Sequence, residues 1–223
     1  MGNSVLITGS TGMVGKGVLL ECLADPTIER VVVVNRSSVG IKHDKLTEVL
    51  HQNFHDISSI KREISNIDAC FFCLGVSSFR MPEDTYHKLT YDLTIQFAET
   101  FKEVNPNAVF CYVSGVGTDS TEKGRSMWAR VKGKTENKIL SMFDRAYMFR
   151  PGYIQPLKGI RSKTPLYDRL YLVFKPLYYI LKHFPSSATN TENFGRAMIA
   201  VLQRGYDKQH LGNREINDLA KKA

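Results

Sequence analysis

Cysteine is scarce in this chain: four residues among 223, at positions 22, 70, 73 and 111, with none of the spacing of a disulfide framework. The opening residues also lack a basic segment, an apolar core and a small-residue cleavage site, which predicts a protein of the reducing cytoplasm. No membrane span is expected: the most apolar aromatic stretch, Leu166 to Leu181, is too short and too charged to cross a bilayer. Blocks of like charge are missing too. The 30 Lys and Arg outnumber the 22 Asp and Glu, for a formal net charge of +8, but they are scattered along the chain, so no nucleic-acid surface is expected. A phosphate-bearing ligand and a generally solvated basic surface explain the excess equally well. An apolar fraction of 43% and a charged fraction of 23% are ordinary for a globular chain, and the length suits one large domain.

Cys70 and Cys73 form a C-x-x-C pair inside the apolar run 69–74, which reads as a buried strand. Residues three apart on a strand point to opposite faces, so these sulfurs would not converge on a metal or a redox pair. His51 and His55 precede Asp56 in a short strand-like stretch and read as surface residues. No metal site is expected.

What is present is organised around Val5 to Gly15: a buried strand, a glycine-rich turn of Gly9, Ser10, Thr11, Gly12, Met13, Val14 and Gly15, and the start of an apolar helix. Gly9 permits the turn, Gly12 admits a pyrophosphate close to the backbone, and Gly15 lets helix and strand pack tightly. The anion would sit on unpaired N–H groups at a helix N-terminus. An ordinary strand-to-helix turn is the alternative, but the preceding strand and following helix favour a dinucleotide cradle.

Strand and helix then alternate, which predicts an α/β fold, a Rossmann-type doubly wound parallel sheet with a small C-terminal helical part. The helix after the glycines carries Val14, Val18, Leu19, Cys22 and Leu23 at helical spacing and stops at Asp25-Pro26; Val31 to Val34 is a central parallel strand. At the end of that strand the chain has Asn35-Arg36-Ser37-Ser38 where an acidic residue would accept from an NAD ribose. Without a carboxylate to repel a 2′-phosphate, and with Arg36 to pair with one, NADP(H) is expected over NAD(H). The alternative for Arg36 is a solvent-facing charge.

Residues 42–50 read as a polar helix leading to a short strand near Asn53-Phe54-His55; Asp56 then serves either the adenine amino group or a helix N-cap. A fourth strand, 69–74, delivers Leu74 and Gly75 to the cofactor. Pro82 opens a helix over 83–103 with Leu89, Leu93, Phe97 and Phe101 on its apolar face and Tyr86 near the site mouth. A fifth strand, 108–113, carries Ser114 to the carboxyl edge, where ligands of open parallel sheets gather.

Taken together, Thr8-Gly9-x-x-Gly12-x-x-Gly15, Cys73-Leu74-Gly75, Tyr112-Val113-Ser114, Val131-Lys132-Gly133-Lys134-x-Glu136 and Phe149-Arg150-Pro151-Gly152 resemble the atypical short-chain dehydrogenases/reductases. The likeness is to the Tat-interacting-protein branch, also described as nucleoside-diphosphate-sugar epimerase-like, and covers residues 3 to about 155. The resemblance implies NADP(H) binding, with Pro151 near the cofactor, and a catalytic Ser, Tyr and Lys. Ser114 matches the serine and Lys132 the lysine, which holds the nicotinamide ribose. Four residues before Lys132, however, stands Trp128, whose indole cannot act as an acid or base. Tyr153, beyond the sixth strand, and Tyr86 are the substitutes available, each read as a pocket wall ahead of an acid.

The expected organisation is a cofactor-binding core over 1–155 and a small substrate, lid or interaction part over 156–223 packed on it. The aromatic stretch 166–181 suits a lid, a homodimer surface or an interfacial membrane helix, in that order, and Asn190 to Leu202 a closing helix capped by Asn190 or Thr191. Two functions remain: an NADP(H)-dependent oxidoreductase or epimerase acting on a small carbonyl or nucleotide-sugar substrate, or a catalytically impaired NADPH sensor that regulates a protein partner.

Overall fold

The computed structural model describes residues 2–160 and 186–221. The aromatic stretch 166–181 lies outside the described residues. Seven strands form one sheet: β1 (Asn3–Thr8), β2 (Ile28–Asn35), β3 (Leu46–Leu50), β4 (Ala69–Phe72), β5 (Val109–Val113), β6 (Ala146–Phe149) and β9 (His210–Leu211). Their spatial order is β3-β2-β1-β4-β5-β6-β9, and every neighbouring pair is parallel. The order reverses between β1 and β4, the switch point where doubly wound sheets bind ligands beyond the strand carboxyl ends. A separate parallel pair joins β7 (Tyr153–Gln155) to β8 (Ala188–Asn190).

Central strands must be apolar on both faces, and Val5 to Ile7, Val31 to Val34 and Ala69 to Phe72 are all buried. Alternate residues feed two cores. Val5, Ile7, Val31, Val33 and Phe71 face α1 (Met13–Ala24) and α5 (Thr191–Arg204). Leu6, Val32, Val34, Cys70 and Phe72 face α3 (Leu93–Val104) and α4 (Met127–Met142). Cys70 therefore belongs to one core while Cys73 packs on the other, as strand geometry requires. Of the two caps the sequence offers for α5, Asn190 is the one used: it accepts from the Asn193 N–H at 2.8 Å, and Phe194, Ala197, Met198 and Val201 are buried. A last helix, α6 (Asn213–Ala220), follows β9.

Two local expectations are corrected. Residues 42–50 form no helix; Leu46 to Leu50 is an edge strand paired in register with Val31 to Asn35, and 53–55 lie in the turn beyond it. An edge strand has one neighbour and a half-solvated surface, so its polar composition imitates an exposed helix. The helical run from α2 (Glu83–His87) into α3 contains a π-type turn at Lys88–Asp92. The wider turn shifts the inward face, burying Tyr86 and Thr90 and leaving Leu89 37% exposed instead of in the core.

Candidate functional site

The glycine turn is locked by the Gly12 N–H donating to the Gly9 carbonyl at 2.9 Å. Gly9 has φ +67°, and a Cβ there would stand 2.7 Å from the Cys73 carbonyl oxygen; a Cβ at Gly15 would stand 2.3 Å from the Gly9 oxygen. The fold itself demands these two glycines. Gly12 differs: its φ of −89° suits any residue, and a Cβ would meet only the Gly9 oxygen at 3.3 Å. At Gly75 a Cβ would meet nothing within 4 Å. Two glycines that the protein's own packing does not require stand beside the α1 N-terminus and at the end of β4, the places a dinucleotide backbone would fill. Residues and cofactor class fit each other.

Ser10 and Asn35 support the turn from beneath. Both are buried, and the Asn35 amide donates to the Ser10 hydroxyl at 2.7 Å, tying β2 to the loop. The Leu74 N–H donates to the Thr8 hydroxyl at 3.3 Å. Met13 and Val14 pack against the core, placing their main chain rather than their side chains at the cradle. Beyond them a cleft is lined by Gly9, Thr11, Asn35, Arg36, Ser37, Phe54 and Leu74. No carboxylate lines it, and Arg36 is exposed with no acidic partner among the described residues. Gln52 donates its amide to the Arg36 carbonyl at 2.8 Å and fixes that loop. Phe54 was not singled out from sequence; its ring stacks on Phe97, with centroids 6.1 Å apart, and closes the cleft floor. Asp56 is turned to local use: it accepts from the Ser58 N–H at 2.9 Å, and hydrogen bonds from Ser58 hold its carboxyl below the usual range.

At the other end of the cradle the structure brings Ser114 and Lys132 together. The Lys132 ammonium donates to the Ser114 carbonyl oxygen at 2.6 Å, while the Ser114 hydroxyl donates to the Phe149 carbonyl at 3.2 Å. Burial pushes the Lys132 ammonium down to about 8, opposed by the Glu136 carboxylate one helical turn on. Trp128 is one turn earlier, its ring against Gly117, where a Cβ would stand 3.4 Å from Cη2. The Pro151 carbonyl accepts from Val116 at 2.8 Å and so holds the loop after β5. Tyr153 donates its hydroxyl to Gln155 Oε1 at 2.7 Å, and burial raises the Tyr86 phenol above its usual range.

Glu136 is completely buried. Arg150 grips both its oxygens, Nε lying 3.1 Å from each, and its guanidinium also reaches Ser120; His210 Nε2 lies 3.6 Å from Glu136 Oε2. This cluster ties α4, β6 and β9 together beneath Lys132. Part of it was visible in sequence, since Lys132 and Glu136 are i,i+4 on one helix face.

Residues 5–145 match the NAD dependent epimerase/dehydratase family, and the chain belongs to it. Its kinship with atypical short-chain dehydrogenases/reductases stands. Among curated proteins it is 27% identical over 158 residues to the mitochondrial protein fmp52 of Emericella nidulans, covering 68% of this chain and 66% of that one. It is 26% identical over 154 residues to protein HTATIP2 of Rattus norvegicus, covering 68% of this chain and 62% of that one. The alignments thus span about two thirds of those relatives. Among solved structures, Bordetella bronchiseptica WbmH in complex with NAD+ has a TM-score of 0.66 at 14% identity, covering 94% of this chain and 74% of that one. A UDP-N-acetylglucosamine 4-epimerase from Methanobrevibacter ruminantium, in complex with UDP-N-acetylmuramic acid, gives 0.66 at 14%, covering 95% and 76%. These likenesses show the shared fold. The expected cytoplasmic location does not stand: relatives from Emericella nidulans, Scheffersomyces stipitis and Debaryomyces hansenii are named mitochondrial proteins. Among the described residues no helix is long and apolar enough to cross a membrane.

Proposed function

We propose that this protein is an NADP(H)-dependent oxidoreductase acting on a small carbonyl compound. The observation that carries the cofactor choice is the cleft beyond the glycine turn, where Arg36 and Ser37 stand with Thr11 and no carboxylate. A 2′-phosphate there meets a guanidinium able to bind it bidentately and a hydroxyl able to donate, with no repelling charge. Thr11, Gly12 and Met13 would hold the pyrophosphate, Phe54 and Leu74 would flank the adenosine, and Lys132 would hold the nicotinamide ribose. Arg36→Ala is expected to weaken NADPH binding by about 10- to 100-fold, the range of a lost charged hydrogen-bonding partner, and to leave NADH binding nearly unchanged. Calorimetric titration reads both. Equal affinities in the native protein would defeat the assignment.

A second reading, an NADPH-responsive module for a protein partner, is favoured by Trp128 in the place of the family tyrosine. Trp128→Tyr separates the two. It puts a phenol one helical turn from the Lys132 ammonium, which would ease loss of its proton. On a panel of small aldehydes and ketones, NADPH consumption should rise at least about 10-fold, within the reach of a positioned acid. If native and substituted proteins both bind NADPH and neither consumes it, the module reading replaces the enzyme.

A further inference from the structure

An oxidoreductase without the tyrosine needs another source for the proton that completes carbonyl reduction. Each polar group on the rim can be tested by where its hydrogens already go. The Ser114 hydroxyl spends its hydrogen on the Phe149 carbonyl at 3.2 Å, so it offers only lone pairs. Trp128 has an N–H that donates but does not dissociate. Tyr153 gives its hydrogen to Gln155. Lys132 is different: one of its three N–H groups is anchored on the Ser114 carbonyl at 2.6 Å, and among the described residues it makes no other hydrogen bond, which leaves two hydrogens for ligands.

We propose that Lys132 is itself the catalytic proton donor, in addition to holding the ribose. The inference rests on the oxidoreductase reading above. In the step it assigns, the carbonyl carbon takes a hydride from the reduced nicotinamide and the C=O π bond breaks. The carbonyl oxygen takes a proton from Lys132 Nζ; an alcohol, the oxidised cofactor and a neutral amine result, and the amine regains its proton from water. Three features suit the task. The ammonium sits at the carboxyl edge of β5 with its stem buried, and it is tethered on one side, so that it is aimed rather than free. Its proton is also held weakly, at about 8, close to the pH at which a general acid must both carry and release it.

The charges around it are accounted for. Glu136, on the same helix, favours the ammonium, but its charge is shared with Arg150 from the end of β6 and with His210 from β9. Burial and the nearby Arg150 lower His210, so at neutral pH it adds little charge, and the buried Tyr112 phenol on β5 stays protonated.

Lys132→Arg keeps a permanent cation with N–H donors but removes the proton that can leave near neutrality. NADPH affinity by calorimetry should stay within about threefold, and turnover at saturating NADPH should fall at least about 100-fold, the lower range for a lost general acid. In the native protein, turnover should decline with an apparent pKa near 8. Independently of activity, competitive acylation of the ligand-free protein, mapped by mass spectrometry, should show Lys132 gaining reactivity about two pH units below the surface lysines, whose ordinary value is about 10.4. Turnover by Lys132→Arg within threefold of native, a rate unchanged through pH 10, or acylation of Lys132 in step with the surface lysines would each overturn the assignment. A native protein that binds NADPH yet reduces no carbonyl on the panel would instead overturn the oxidoreductase reading, and this inference with it.

Discussion

Gly12→Val is expected to weaken NADPH binding by at least about 100-fold, or roughly 2.7 kcal/mol, while the ligand-free protein keeps its unfolding temperature to within a few degrees. The separation follows from the two surroundings of that residue. Within the protein, the backbone angle is permissive and the one crowded contact is 3.3 Å to the Gly9 oxygen, which a shift of a few tenths of an ångström relieves. On the ligand side, a branched side chain stands over the α1 N-terminus, between the N–H groups and any anion they would bind. Gly15→Val supplies the contrast, because its Cβ would fall 2.3 Å from the Gly9 oxygen and 2.6 Å from the Gly9 carbonyl carbon. That substitution should unfold the loop and lose binding and stability together. Calorimetry and a thermal melt on both variants decide the matter; tight binding by Gly12→Val would move the cofactor away from the cradle.

Glu136→Ala should cost about 3–5 kcal/mol of folding stability, read by urea denaturation, because it strands a partly buried guanidinium without its counter-charge. Arg150 keeps 23% of its side chain accessible, and Glu136 none, so water can compensate the cation only in part. Glu136→Gln, which retains shape and some hydrogen bonding, should lose less. A cost below about 1 kcal/mol for the alanine variant would mean that Arg150 swings out to solvent and that the cluster does not bind α4 to the sheet edge.

How far the sequence could be read depended on whether its signals were local. Val31 to Val34, the structural roles of Gly9 and Gly15, and a helix capped at Asn190 or Thr191 each declare themselves within a few residues; the structure agrees with the first two and takes Asn190 as the cap. Leu46 to Leu50 did not, because an edge strand pairs on one side only and needs no second apolar face. Leu89 misled because helical periodicity was carried through a turn that winds more widely. The absence of tyrosine before Lys132 was legible, being a matter of spacing on one helix. The meeting of Glu136, Arg150, Ser120 and His210 was not, since they come from four separate segments that only the sheet order brings together. Phe54 lay in a segment read as a strand, so its place in the cleft emerged only with the β3 correction.

Trp128 is the chain's single tryptophan, and it stands one helical turn from Lys132. Intrinsic emission excited at tryptophan wavelengths therefore reports from one spot, without labelling. Reduced nicotinamide absorbs in the band where indole emits, so cofactor arriving here would quench Trp128 by energy transfer and light up in its own blue emission, while the oxidised form would lack that transfer. An indole here, if the cofactor binds as proposed, would give the molecule a built-in optical gauge of which redox state of the cofactor it holds.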